Sequence, residues 1–95
     1  RLYMLCVTSF DALPRGCARR MARLLERAAA EGAHVVCLTP QPLYDEPWHD
    51  FGTGRVRCYN IDASTMKTML RARNGLVVLD DGTISDKRNC RDIRP

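Results

Sequence analysis

The sequence lacks the short motifs that usually reveal an activity. It contains no C-x-x-C pair, no glycine-rich phosphate-binding loop and no closely spaced pair of zinc ligands. Dithiol, phosphate-loop and zinc chemistry therefore have no motif to support them. No apolar run reaches about 18 residues, so no segment is predicted to span a membrane. The sequence accordingly predicts no cofactor and no metal site.

Lysine is scarce: the chain has two lysines and thirteen arginines, and its net charge is +4. A basic chain can bind nucleic acid. Here the aromatic residues are few, the eleven acidic residues are spread among the basic ones, and no nucleic-acid-binding motif occurs. These features argue against nucleic acid as a partner, and we interpret the arginines as a solvated surface.

Cysteine is present in an odd number, five, and no two cysteines are close in the sequence. Small disulfide-stapled domains usually carry an even number. Cys6 and Cys37 lie inside apolar runs, where a free cysteine behaves as a small hydrophobic residue. This pattern predicts buried free thiols and slightly favours a reducing, cytoplasmic compartment over an oxidising one.

Apolar periodicity and turn residues divide the chain into alternating strands and helices. Short connections join the first strand, the long helix and the second strand, which predicts a right-handed parallel unit. Gly32 is predicted to end the long helix, and Asp81-Gly82 to form a hairpin turn. The predicted elements are strands at 2–7, 33–39, 76–79 and 83–88, helices at 14–31 and 63–73, and a short extended segment at 56–61.

The segment from Pro40 to Arg55 has no such periodicity and holds three prolines and two glycines. We predict an irregular connection or a brief helical turn there. Trp48 and Phe51 are predicted to form an apolar lid over the sheet edge. The alternative is a partner-binding surface, because long ordered loops often carry function.

The order strand, helix, strand, helix and β-hairpin resembles the thioredoxin-like fold. The run from Asn74 to Ile84 looks like the hairpin that ends that fold. The resemblance implies an α/β domain whose four-stranded mixed sheet carries one helix on each face. The usual terminal helix is predicted to be absent, because the chain ends soon after Arg88. One sheet face is then thinly covered, which suggests self-association or docking on the rest of a parent protein.

A closer resemblance is to the soluble C-terminal domain of bacterial DoxX-family membrane proteins. The segments that carry it are Tyr59–Asp62, Thr65–Arg71, Gly75–Thr83 and Arg91–Ile93. In that family the domain follows a helical membrane module and has no established catalytic residues. The resemblance implies that residues 1–95 form a single domain tethered to a membrane, on either side of it. The start at Arg1 without a methionine fits a piece of a longer chain.

Redox members of the thioredoxin-like fold carry a cysteine pair at the start of the first long helix, where the helix dipole stabilises a thiolate. By resemblance, Arg15 and Ala18 occupy the positions of that pair, and Cys17 falls between them. Asn74 and Gly75 occupy the place of the cis-proline. A trans peptide is expected there, because a cis bond before a non-proline residue costs about 3 kcal/mol. Two hallmarks of a redox site are therefore missing together.

Three functional hypotheses follow, of which the third is an anion-binding surface built on the arginines of the long helix. The first is a non-catalytic interaction or regulatory domain of a membrane protein, whose partner is the remainder of that protein, another protein or a second copy. The second is a monothiol redox or thiol-sensing domain using Cys17, with Arg15 or Arg20 favouring its thiolate. Cys17 shares the apolar stripe of its helix with Leu13 and Met21, which predicts a packed thiol and favours the first hypothesis.

Overall fold

The computed structural model describes residues 1–93 and arranges them as one six-stranded mixed sheet with two α-helices. The strands are β1 (Leu2–Val7), β2 (His34–Thr39), β3 (Trp48–Asp50), β4 (Arg55–Asn60), β5 (Asn74–Asp80) and β6 (Thr83–Asn89). The helices are α1 (Arg15–Glu31) and α2 (Ala63–Met69), and a 3-10 turn follows at Cys90–Asp92. The predicted α/β class is confirmed.

The order of strands in the sheet is β3-β4-β2-β1-β5-β6. β1, β2 and β4 run parallel, and the β3–β4, β1–β5 and β5–β6 pairs are antiparallel. The predicted four-stranded sheet with one helix on each face is therefore wrong, because β3 and β4 extend the sheet beyond β2. The segment predicted to be irregular contains β3, a strand of three residues that exists through its pairing with β4.

α1 forms because its apolar residues recur every three or four positions and face the sheet. Its buried residues include Cys17, Met21 and Leu24, which pack against one face of the sheet. The helix begins after Pro14 and ends at Gly32, whose φ of 71° is the left-handed conformation that favours glycine. This face, with α1 over it, holds the larger of the two core clusters.

α2 is much shorter than predicted. Asp62 caps it by accepting hydrogen bonds from the N–H groups of Ser64 and Thr65, and Leu70 is already extended, with φ −137° and ψ 117°. The helix therefore has only two turns, and it contributes Met66 to the smaller core cluster on the second face of the sheet. No helix within residues 1–93 has the length and apolar character needed to cross a membrane.

The second face is left uncovered around β3, β4 and part of β2. Trp48, Arg55, Arg57 and Tyr59 are exposed there, and Val36, next to Arg57 in the register, is half-buried. We call the surface formed by these five residues the open face. It lies on the side of the sheet opposite to α1, because the alternating residues Val56 and Cys58 belong to the core cluster under α1.

The hairpin between β5 and β6 follows the predicted chemistry. Asp81 and Gly82 both have positive φ, 51° and 79°. A two-residue turn of this kind matches the twist of the strands it joins, and it favours Asp-Gly. β6 is an edge strand.

Candidate functional site

A disulfide joins Cys17, near the start of α1, to Cys90, with 5.6 Å between their Cα atoms. Both residues are buried. The prediction of a free, packed thiol is therefore wrong for Cys17, and so is the prediction of free thiols throughout the chain. The two cysteines are 73 residues apart in sequence, and their pairing arises only when the 3-10 turn after β6 reaches α1.

The disulfide lies in an open cleft of about 390 Å³ at one end of α1. We call it the disulfide cleft, and its lining includes Cys17, Cys90, Arg20, Arg73, Asn74 and Arg91. Asn74 is fixed there because its side-chain oxygen accepts a hydrogen bond from the Thr8 N–H at 3.1 Å. Three arginines and a helix N-terminus make the cleft electropositive.

The structure separates the five positions that the fold resemblance grouped together. Cys17 and Asn74 both line the disulfide cleft, whereas Arg15 and Ala18 do not. Gly75 is buried, and a Cβ added to it would come within 2.7 Å of the Leu70 side chain, which belongs to the second core cluster. The Asn74–Gly75 peptide is trans, as predicted.

The other three cysteines are free and buried. A hydrogen bond with Cys37 lowers the pKa of the Cys58 thiol. Burial raises the pKa of the Cys6 thiol to about 11. Cys37 lies opposite Cys58 on the neighbouring strand. A hydrogen bond with Cys58, together with burial, raises the pKa of the Cys37 thiol. The predicted packed thiols are confirmed for Cys6 and Cys37.

A second candidate region lies on the open face, where arginines and aromatic rings alternate. The Arg55 guanidinium carbon lies 5.4 Å from the centre of the Trp48 ring. The Arg57 guanidinium carbon lies 5.8 Å from the Trp48 ring and 5.4 Å from the Tyr59 ring. We call these four residues the arginine ladder. Cation–π attraction of this kind is worth about 0.5–1 kcal/mol at exposed positions, so the rings hold the guanidinium groups in place.

Strand geometry explains why the ladder forms. Side chains alternate between the two faces of a strand, so Arg55, Arg57 and Tyr59 point outward together. Trp48 joins them because it pairs with Arg57 in the antiparallel register of β3 and β4. Trp48 is 44% exposed and Tyr59 is 48% exposed, although aromatic side chains of this size are usually more deeply buried.

β3 and β4 form an antiparallel hairpin, and its side facing α1 is anchored by aromatic packing. The His49 ring stacks on Phe10 with 4.0 Å between ring centres, and it meets Phe51 edge-on at 4.6 Å. Burial lowers the pKa of His49. The Thr53 hydroxyl also donates a hydrogen bond to the Ala22 carbonyl of α1 at 2.8 Å. These contacts join the β3–β4 hairpin, which carries the arginine ladder, to Phe10 and to α1.

Trp48 and Phe51, the two residues predicted to form a lid or a partner surface, lie on opposite faces of the sheet. Phe51 packs beneath the sheet with the core, whereas Trp48 faces outward on β3. Sequence reasoning named Trp48 but missed Arg55, Arg57 and Tyr59. The signal for them is their alternation with the buried residues Val56 and Cys58, which identifies an exposed face only when this segment is placed in the sheet.

The ladder arginines have no acidic partner in the part of the chain that the structure describes. The ion pairs there join Arg1 to Asp80, Arg27 to Glu31, and Arg88 to Asp86. Residues 1–93 also contain no group of three or more potential metal ligands. The exposed Asp50 lies opposite Arg55 in the strand register but forms no ion pair with it. The ladder thus presents two guanidinium groups outside any ion pair, which can bind carboxylate or phosphate oxygens.

Comparison with known proteins places the chain in no group. No protein-family model matches it, and neither does any curated protein or any solved structure. The resemblances to the thioredoxin-like fold and to the DoxX family therefore stay predictions. What can be argued about function depends on the geometry of the disulfide cleft and the arginine ladder.

Proposed function

We propose that this chain is a non-catalytic interaction domain, and that the arginine ladder is the surface with which it binds an anionic partner. One observation carries the proposal. Arg55 and Arg57 are stacked against exposed rings on an uncovered sheet face, and neither forms an ion pair within residues 1–93. A charged surface prepared in this way stabilises a bound anion, because little side-chain freedom is lost on binding.

The chemistry of the ladder is that of binding. Guanidinium groups donate hydrogen bonds and stay protonated at neutral pH, and the ladder holds no nucleophile with a general base beside it. The exposed tryptophan and tyrosine add apolar contact area of the kind enriched at protein interfaces. The ladder therefore fits an interaction surface better than an active site.

The experiment compares two variants that remove the same charge. Fluorescence anisotropy measures the binding of a labelled oligoglutamate and a labelled oligothymidylate to the wild-type chain, R55A/R57A and R19A/R23A. Arg19 and Arg23 are exposed on α1 and serve as the matched control. The proposal expects R55A/R57A to lower the affinity for a bound polyanion about tenfold and R19A/R23A to change it less than about twofold. Equal effects of the two variants, or no binding to either polyanion, would contradict it.

The DoxX-family resemblance supports a wider form of the proposal, in which the domain is tethered to a membrane protein. The partner is then the remainder of that protein, another protein or a second copy of the chain. Fractionation of cells that produce the full-length protein tests the tethering. Recovery of that protein only in the soluble fraction, with no membrane-spanning segment in its sequence, would rule it out.

A second candidate function is supported by the disulfide cleft. We propose as the alternative a thiol–disulfide exchange in which the Cys17–Cys90 pair, rather than a single thiol, reacts with an external dithiol. A thiolate of the dithiol attacks one protein sulfur, and the other leaves as a thiolate near Arg20, Arg73 and Arg91. The second thiol of the dithiol then displaces the first protein sulfur, so the dithiol becomes a disulfide and its two protons pass to the cysteines.

The alternative is tested by alkylation of Cys17 against pH in C90S. An apparent pKa near 6 would support exchange, because a thiolate at a helix N-terminus beside arginines is stabilised to about that extent. An apparent pKa at or above about 8.5, the value of an ordinary cysteine, would rule it out.

A further inference from the structure

The geometry points to one ligand class for the arginine ladder: an extended acidic segment of another protein, with carboxylates on alternate residues. This inference rests on the proposed interaction function and specifies its partner. It concerns only Trp48 on β3 and Arg55, Arg57 and Tyr59 on β4.

The spacing of the two arginines supports an extended ligand. Arg55 and Arg57 are two residues apart on one face of β4, so their Cα atoms are separated by about 6.6 Å. Carboxylates on alternate residues of an extended peptide have the same separation. Such a segment therefore places one carboxylate beside each guanidinium group, whose fork of N–H donors matches a carboxylate. A helical segment repeats its surface residues at three or four positions and does not match this spacing.

The ring positions argue against nucleic acid. Proteins that bind single strands use free aromatic faces on which successive bases stack. Here Trp48 has guanidinium groups over it at 5.4 and 5.8 Å, and Tyr59 has one at 5.4 Å. A base could stack on the faces that the arginines occupy only by displacing an arginine and giving up the cation–π contact. A carboxylate needs no such displacement, because it approaches the edge of the guanidinium group.

Charge argues against a second copy of the chain on the same surface. A two-fold symmetric interface brings the same patch of both copies together. The ladder would then face another ladder, with four guanidinium groups close together. Asp50, opposite Arg55 in the strand register, adds one carboxylate for each copy, which is fewer than the two guanidinium groups. An acidic segment of another protein supplies the complementary charge that a second copy lacks.

The test uses two peptides of identical composition and charge. One alternates glutamate and threonine, and the other repeats Glu-Glu-Thr-Thr, so that it has the same composition but no two of its glutamates are two residues apart. Anisotropy measures the binding of each labelled peptide, and of an oligothymidylate of equal charge, to the wild-type chain, R55A/R57A and R19A/R23A. Sedimentation of the wild-type chain alone reports whether it self-associates.

The inference expects the alternating peptide to bind the wild-type chain about tenfold more tightly than the Glu-Glu-Thr-Thr peptide. That preference should disappear in R55A/R57A and persist in R19A/R23A. Equal binding of the two peptides, tighter binding of oligothymidylate, or a dimer that R55A/R57A dissociates would overturn it. If all polyanions bind equally but still require Arg55 and Arg57, the interaction function stands and only the acidic-segment inference fails. If no binding depends on these arginines, both fail.

Discussion

The disulfide cleft and the arginine ladder both gather arginines, but the two regions use them in different surroundings. In the cleft, Arg20, Arg73 and Arg91 surround a buried disulfide. In the ladder, Arg55 and Arg57 lie on exposed aromatic rings of a sheet face that no helix covers. A covalent bond joins α1 to the turn after β6 in the first region, whereas the second region is an exposed surface without a covalent cross-link.

The contrast shows that the number of arginines does not decide where a basic chain binds. Thirteen arginines are spread through the sequence. Most of those that the structure describes are exposed to solvent, as predicted. The ladder differs because its guanidinium groups lie over exposed aromatic rings and form no ion pair within residues 1–93. We therefore assign stability to the cleft and binding to the ladder. Four perturbations test that assignment, beginning with the largest effect.

Removal of the disulfide should cause the largest loss of stability. Cross-linking residues 73 positions apart restricts the unfolded chain, and for a loop of this length the chain-entropy model gives about 4 kcal/mol. We expect C17S/C90S to lose about 3–4 kcal/mol in the free energy of unfolding, measured by urea denaturation.

The control is reduction. A dithiol reagent should lower the stability of the wild-type chain by a similar amount and leave that of C17S/C90S unchanged. Unaltered stability in the variant would show that the cleft is not closed by a disulfide.

Gly75→Ala should have the next largest effect, because β5 and β6 leave no room for a Cβ at this position. A Cβ at Gly75 would overlap the Arg88 carbonyl oxygen and the Leu70 side chain. Forcing extra volume into a packed site costs about 1–3 kcal/mol, which thermal unfolding measures.

Gly16→Ala is the matched control, because a Cβ there meets only the end of the flexible Arg20 side chain, at 3.4 Å. We expect its stability to change by less than about 1 kcal/mol. If Gly75→Ala were as stable as this control, the close approach of β5 and β6 would be wrong.

Arg57→Ala should separate binding from stability. It removes the two cation–π contacts of the central guanidinium group and should cost less than about 1 kcal/mol in unfolding free energy. The same change should lower the affinity for the alternating peptide several-fold. A large loss of stability would mean that the ladder is a structural feature, which would remove the distinction drawn between the two regions.

Acidification should change the free energy of unfolding by the smallest amount of the four perturbations, and it acts through His49, which packs beneath the ladder. Burial lowers the pKa of His49, so the unfolded chain takes up a proton more readily than the folded chain. Its contribution to stability is present at higher pH and falls as pH drops through the ordinary histidine value of about 6.5 toward the lower folded value. We expect His49→Gln to reduce the slope of stability against pH in this range.

The exposed His34 provides the control for that slope, since it lies outside the aromatic cluster. His34→Gln should leave the pH dependence unchanged. An identical slope in the wild-type chain and His49→Gln would show that this histidine is not buried beneath the ladder.

Much of the fold was predictable because local sequence determines it. β1 is a continuous apolar run, the stripe and Gly32 define α1, and Asp81-Gly82 permits a two-residue hairpin turn. The parallel β1–α1–β2 unit follows from short connections. These elements needed no knowledge of distant contacts, and the structure confirms them.

The errors lie where distant pairing decides the structure. β3 has only three residues and takes its conformation from β4, so neither length nor periodicity reveals it. Cys17 and Cys90 are close in space because β5 and β6 carry the chain back, so that the turn after β6 lies beside α1. Trp48 was recognised as a possible partner surface, but the arginines beside it were missed because β4 was not assigned to the sheet. A sequence pattern identifies the face of a strand only once the strand itself is recognised.

The most direct test of the account is the affinity of the wild-type chain, R55A/R57A and R19A/R23A for the alternating acidic peptide, measured under the same salt conditions. The account predicts that R55A/R57A loses about tenfold in affinity, whereas R19A/R23A, with the same change in net charge, loses less than about twofold. Equal affinities for the two variants would contradict it, since binding would then follow net charge and the ladder would have no particular role.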